Sequence, residues 1–307
     1  ACMAARKSTS RPMLSLVAFA SSLDQVGPFG RTVDDAARLL DVLCGHDPRD
    51  STSIPRPAPV TAEPEIPSLE GVRVGVPTTW FDLGMDPVVE ARVREALGAL
   101  ESRGAQLVEV ELPHTRYGVA AYYVIATAEA SSNLARYDGI RYGHRVDGAQ
   151  GLEDMISRTR AEGFGSEVKR RILLGTFGLS SGYYDAYYRK AQKVRSLVRQ
   201  DFREAFAKAD VLVAPTAPNP AFPVGAALDD PLEMYRMDVF TIPASLAGLP
   251  CMSLPCGIDD EGLPVGLQLL APPLEEARMV RVARAYELLA PPMGRPGIFA
   301  ASGRASS

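Results

Sequence analysis

The chain has 307 residues, 46% of them hydrophobic and 23% charged, a globular composition that excludes a disordered or fibrous chain. A formal charge of −4 excludes a surface that binds nucleic acid through its own positive field, so any role with RNA calls for a partner. Four cysteines without CxxC spacing and three histidines far apart in sequence argue against a zinc site, a redox dithiol or a disulfide framework, and fit a reducing, cytoplasmic setting.

From the N-terminus, Arg6, Lys7 and Arg11 followed by the apolar stretch Met13–Ala20 mimic a signal peptide, but the apolar part reads better as a core strand. No apolar run reaches the roughly 18 residues of a membrane span. Thr32-Val-Asp-Asp35 is a capping box that opens a short amphipathic helix ending at Gly45. Residues 46–70, rich in Pro, Asp, Ser and Thr, form a surface loop. Val72–Pro77 alternates as a strand, Pro87–Arg103 has helical spacing, and Gln106–Leu112 alternates again. A helix over 116–136 carries Tyr117, Tyr122 and Tyr123, a polar, glycine-dotted connection follows, and a long helix runs from Gly182 to Ala209. Asp210–Pro215, Met252–Pro255 and Val265–Leu270 are further strands, and Glu275–Leu289 closes as a helix. Strands alternating with helices predict a layered α/β fold with a mixed sheet. Cys251 and Cys256, five apart in a strand, fall on opposite faces and read as buried small apolar residues.

Eight blocks, in order, resemble the amidase-signature family, and within it the A-subunits of the bacterial aspartyl/glutamyl-tRNA amidotransferases. They are Leu16–Phe29, Gly45–Ser53, Leu112–Tyr117, Ala128–Tyr137, Glu162–Gly165, Val168–Arg171, Ser181–Tyr188 and Leu263–Gln268. The resemblance runs from about Leu16 almost to Pro296. It implies one amidase-signature domain over 1–307, an α/β fold whose mixed twisted sheet is covered by helices on both faces, with an atypical stretch over 1–13, a disordered tail over 297–307, and the N-terminal part of the fold not represented.

In that family a lysine and two serines perform nucleophilic attack on a side-chain amide, from a glycine- and serine-rich loop that stabilises the oxyanion. The resemblance puts those residues upstream of Leu16. Lys7, Ser8 and Ser10 are the right residue types but lack the loop's glycines, so no catalytic residue is assigned. What the resemblance does carry over is a glutamine pocket. Arg171 in Val-Lys-Arg-Arg would fork onto the α-carboxylate, Asp238 in Met-Tyr-Arg-Met-Asp would hold the α-ammonium, and Tyr122 would be a third contact. From the residues alone, Arg170 and Arg171 better suit a solvated helix face, Asp238 a helix cap, and Tyr122 core packing.

The activity implied is release of ammonia from glutamine for amidation of mischarged Glu-tRNA(Gln) or Asp-tRNA(Asn). The implied partners are the amidotransferase B- and C-subunits: ATP and magnesium would belong to the B-subunit, and the C-subunit would bind the pair. The resemblance brings no cofactor and no metal to this chain, and the sequence shows neither a P-loop nor a G-x-S-x-G elbow. Two other readings stand beside it: a hydrolase of simple amides, and a partner-binding chain without chemistry.

Overall fold

The computed structural model describes residues 18–59, 68–226 and 231–291. Five strands, β1 (Arg73–Pro77), β2 (Gln106–Val110), β3 (Val211–Pro215), β4 (Cys251–Ile258) and β5 (Pro264–Leu270), form one sheet in the order β2-β1-β3-β5-β4. β1 runs parallel to β2 and to β3, whereas β5 runs antiparallel to β3 and β4. The sheet is therefore mixed, as the alternation of elements implies. The helices are α1 (Val33–Leu43), α2 (Thr78–Phe81), α3 (Pro87–Ser102), α4 (Gly118–Leu134), α5 (Leu152–Gly163), α6 (Ser166–Leu179), α7 (Lys190–Lys208), α8 (Pro231–Arg236), α9 (Ile242–Ala247) and α10 (Glu276–Glu287). Short 3₁₀ and π segments, Thr115–Tyr117 and Asp185–Arg189, precede α4 and α7. No described helix is long and apolar enough to cross a membrane.

The central strand shows why the chain adopts two layers of helices. All five residues of β3 are buried, and successive side chains of a strand point to opposite faces. Val211 and Val213 enter one core with α3 and α10, while Leu212 and Ala214 enter the other with α4, α7 and α9. A strand that is apolar on both faces has to be covered on both. Trp80 lies at the heart of the second core, stacked on Phe240 at 5.4 Å and donating its indole N–H to Thr115 at 2.9 Å. Thr32 caps α1 by accepting from the Asp35 amide, and Asp86 caps α3 by accepting from Val88, which sets the start of each helix where the sequence marks it.

Several expectations need correction or lie outside the described residues, the stretch 1–13 and the tail 297–307 among the latter. Residues 13–17 of the expected first strand lie outside them, and residues 18–24 form a turn instead. The carboxylate of Asp24 accepts from the amides of Phe19 and Ala20, a local bond that competes with strand pairing. The connection expected between 137 and 181 contains α5 and α6. Each of these helices buries too little to print an apolar period: Met155 and Thr159 in α5, and Gly175 alone in α6. The helix expected from Gly182 starts three residues later, at Asp185, and does so as a π segment. Cys256 is buried as expected, but Cys251 is exposed, because it lies on the face of β4 that also leaves Ser253 and Pro255 exposed.

Candidate substrate pocket

Three elements place the predicted pocket residues. α4 offers Tyr122 and Tyr123, α6 offers Arg171, and the turn between α8 and α9 offers Asp238. α4 and α6 come unusually close because Gly175 has no side chain. A Cβ built there would stand 1.9 Å from the carbonyl oxygen of Thr127, so only glycine lets the two backbones meet. Arg171 lies one helical turn before that contact and so faces α4.

Electrostatics links the three residues. Burial raises the pKa of the Tyr122 phenol, Arg171 opposes that rise, and Asp238 adds to it. The same two charges act on Tyr123, whose phenol is raised chiefly by burial. Cation and carboxylate therefore stand around one pair of tyrosines, whose rings meet edge to face at 5.2 Å. Asp238 is exposed at its rim, yet the protein around its carboxyl is enough to raise the pKa above that of an ordinary aspartate, with desolvation as the cause. Among the described residues nothing donates a hydrogen bond to that carboxylate. Arg171 gives its Nε to Glu167 at 2.7 Å and lays its guanidinium 5.7 Å from the centre of the Phe19 ring. Its terminal nitrogens make no hydrogen bond among the described residues. The arrangement suits a small zwitterion, with a fork for a carboxylate at one end and an acceptor for an ammonium at the other.

The turn that carries Phe19 is itself clamped in place. Ser22 donates its hydroxyl to Glu129 at 2.5 Å and its amide to the same carboxylate at 2.9 Å. Arg195, 6% exposed, donates to the Ser22 hydroxyl at 2.6 Å, the Ser22 carbonyl at 2.8 Å and the Leu246 carbonyl at 2.8 Å. Burial lowers the pKa of this arginine, and neighbouring Arg199 adds to the effect. One turn along α4 from Glu129, Asn133 donates to the Phe19 carbonyl and to Ser21. The Ala128–Tyr137 block thus has a concrete task, since its residues at positions i and i+4 hold one turn. Glu129 and Arg195 belong to no chemical motif and were not among the predicted residues. Their signal was a pair of polar residues on an otherwise apolar helix and an arginine at a buried helical position.

Other polar groups prove structural. His114 pairs with Asp201 at 2.7 Å, and the same carboxylate accepts from the His114 amide. Asp47 bonds Arg49, and Ser53 accepts from the Asp47 amide, so the 45–53 loop is a folded turn. No three His, Cys, Asp or Glu side chains among the described residues are arranged to hold a metal. Lys7, Ser8 and Ser10 lie outside the described residues. A separate cavity of about 660 Å³, lined by Phe29, Leu254, Met279 and Tyr286 among others, lies between the 25–33 loop and the pair β4 and α10. It is mainly apolar and contains none of the three predicted pocket residues.

The sequence pattern of the Amidase family matches residues 7–280. The A-subunit of glutamyl-tRNA(Gln) amidotransferase from Thermodesulfovibrio yellowstonii is 55% identical over 276 residues, covering 90% of this chain and 57% of that protein. Its namesake from Myxococcus xanthus is 57% identical over 272 residues, covering 89% and 56%. Among solved structures, the glutamyl-tRNA(Gln) amidotransferase A-subunit of Thermotoga maritima superposes with a TM-score of 0.70 at 41% identity, over 89% of this chain and 54% of that one. The peptide amidase of Stenotrophomonas maltophilia gives 0.67 at 25% identity, over 91% and 56%. The chain spans a little over half the length of the curated relatives it matches.

Proposed function

This chain belongs to the amidase family, and we propose that it is the glutamine-recognising part of the A-subunit of a glutamyl-tRNA(Gln) amidotransferase. In this reading Arg171 forks onto the α-carboxylate of glutamine, Asp238 accepts from the α-ammonium, and Tyr122 lines the wall between them. The observation that supports it most is the pairing of Arg171 and Asp238, each with unused hydrogen-bonding atoms among the described residues, around Tyr122. A hydrolase of simple amides has no zwitterionic head to hold and no need for that pair.

A lysine and two serines upstream of Leu16 in the family pattern attack the amide, and none of the described residues replaces them. In this reading the 307 residues by themselves are expected to bind glutamine without hydrolysing it. Ammonia released by the complete site passes to the B-subunit, where mischarged Glu-tRNA(Gln) or Asp-tRNA(Asn) is activated with ATP and magnesium, and the C-subunit holds the pair together in the cytoplasm. Release of ammonia from glutamine is the test. The chain alone is expected to release none. Mixed with the B- and C-subunits and with the N-terminal half of a relative, it is expected to turn over glutamine, and Arg171→Ala is expected to abolish that turnover. Ammonia released by the chain alone, or turnover in the mixture that survives Arg171→Ala, would refute the reading.

A further inference from the structure

The pocket residues sit on three separate elements, and a zwitterion is recognised only if its two charged partners keep a fixed spacing. The structure contains a chain of contacts that runs from one partner to the other. Glu167, in the first turn of α6, accepts from Arg171 Nε at 2.7 Å with one carboxylate oxygen and from Arg170 Nε at 2.9 Å with the other. Both arginines act to hold its pKa below the usual glutamate value, Arg171 most strongly. Arg170 then reaches across to the α8 helix and donates Nη2 to the hydroxyl of Tyr235 at 3.1 Å. The carbonyl of Tyr235 accepts from the amide of Asp238 at 3.3 Å, closing the turn that presents the Asp238 carboxylate. The Tyr235 ring packs on Tyr123 with centroids 4.0 Å apart, and Tyr123 meets Tyr122. The circuit is closed: α6, the turn before α9 and α4 are each tied to the other two.

We propose that Glu167, Arg170 and Tyr235 are positioning residues for glutamine recognition, Glu167 aiming Arg171 at the α-carboxylate while the Arg170–Tyr235 contact holds Asp238 at the distance of the α-ammonium. The inference rests on the glutamine reading above. Glu167 engages only Nε of Arg171, which leaves the two terminal nitrogens as a fork. The Arg170–Tyr235 bond is a polar side-chain link between α6 and the element leading to Asp238, so its loss frees one end of the pocket without touching the other. None of the three residues meets the ligand in this scheme.

Two ligands separate the ends. Glutamine uses both charged partners; N-acetylglutamine keeps the α-carboxylate and lacks the ammonium, so it uses Arg171 and not Asp238. Binding of each to the full 307-residue chain is measured by titration calorimetry for wild type, Arg171→Ala, Tyr235→Phe, Arg170→Ala, Arg170→Lys and Glu167→Gln, with a thermal melt of every variant. Tyr235→Phe keeps the ring on Tyr123 and removes only the hydroxyl. It is expected to weaken glutamine about five- to tenfold and leave N-acetylglutamine unchanged, whereas Arg170→Ala, which also removes the two hydrogen bonds to Glu167, is expected to weaken both ligands, with Arg170→Lys recovering part of the loss. Glu167→Gln is expected to weaken both ligands, because it acts at the carboxylate end. If Arg171→Ala abolishes glutamine binding while Tyr235→Phe and Arg170→Ala leave it intact, the positioning role is overturned and the pocket stands. Equal weakening of both ligands by Tyr235→Phe also overturns it, since that is what a general loosening of the fold produces. If wild type binds neither ligand, the glutamine reading fails and the positioning role with it.

Discussion

Two glycines three residues apart on α6 should respond to the same substitution with opposite sign. At Gly175 an added Cβ would lie 1.9 Å from the Thr127 carbonyl oxygen, 2.5 Å from the Thr127 carbonyl carbon and 2.9 Å from Ser131 Cβ. Ordinary van der Waals contact for such pairs is above about 3.2 Å, so α4 and α6 would have to separate by roughly 1 Å. The obstructing atoms are backbone and cannot rotate away. Overpacking of this kind costs about 1–3 kcal/mol, and occasionally more, against about 0.8–1.0 kcal/mol gained in helix propensity. Because the obstruction is backbone, the overpacking cost falls in the upper part of that range, about 2–3 kcal/mol, and Gly175→Ala should destabilise by a net of about 1–2 kcal/mol. At Gly178 nothing lies within 4 Å of the built Cβ, so only the propensity gain remains and Gly178→Ala should stabilise by about 0.5–1 kcal/mol. Urea unfolding followed by circular dichroism measures both, with the slope compared to check that the unfolded state is unchanged. Gly175→Ala should also weaken glutamine binding, because the same displacement carries Arg171 away from Tyr122. A Gly175→Ala protein as stable as wild type would refute the close contact of α4 and α6 on which the placement of Arg171 depends.

Gln268, 2% exposed in β5, donates to the Phe240 carbonyl at 3.0 Å, two residues beyond Asp238. Gln268→Leu removes that donor and should destabilise by about 1–3 kcal/mol, read as a lower urea midpoint, and should loosen the turn enough to lower glutamine affinity. Asp210 accepts from the Arg73 amide and guanidinium, both at 2.9 Å, and this holds its pKa below the usual aspartate value. A depressed carboxylate adds stability above its unfolded pKa of about 3.9 and loses it as the pH falls through the lower folded value. The urea midpoint should therefore drop below about pH 4, and Asp210→Asn should flatten that part of the profile. Asp238 is shifted the other way. Only its ionised form can hold an ammonium, so glutamine affinity should begin to fall, on acidification, at a higher pH than the roughly 3.9 of a free aspartate, and Asp238→Asn should remove the dependence.

Strong periodicity made much of the fold legible. β1, α3 and β2 emerge within a residue or two of their predicted bounds because alternation, the Asp86 cap and the 3.6-residue apolar spacing agree. β3 was legible for a different reason, a short wholly apolar run ending at a proline. α6 was not legible, although Arg171 sits on it. Its packing uses an absent side chain, Gly175, and glycine in a sequence reads as a loop residue. The 18–24 turn was missed because its polar anchors, Glu129, Asn133 and Arg195, lie more than 100 residues away, and only the tertiary fold brings them there. Arg171, Asp238 and Tyr122 were chosen through the family motifs. That Glu167 and Tyr235 support them could not be read from motifs at all, since those contacts depend on how α6 meets the turn before α9.

The most direct test of the glutamine pocket is calorimetric titration of glutamine and of glutaminamide, which lacks the α-carboxylate, into the 307-residue chain and its Arg171→Ala variant. A charge-assisted hydrogen bond is worth about 1.5–3 kcal/mol, so wild type should bind glutamine at least about tenfold more tightly than glutaminamide, and Arg171→Ala should erase that preference. Equal affinity for the two ligands in wild type, or a preference that persists in Arg171→Ala, would contradict the assignment of this pocket to the glutamine head group.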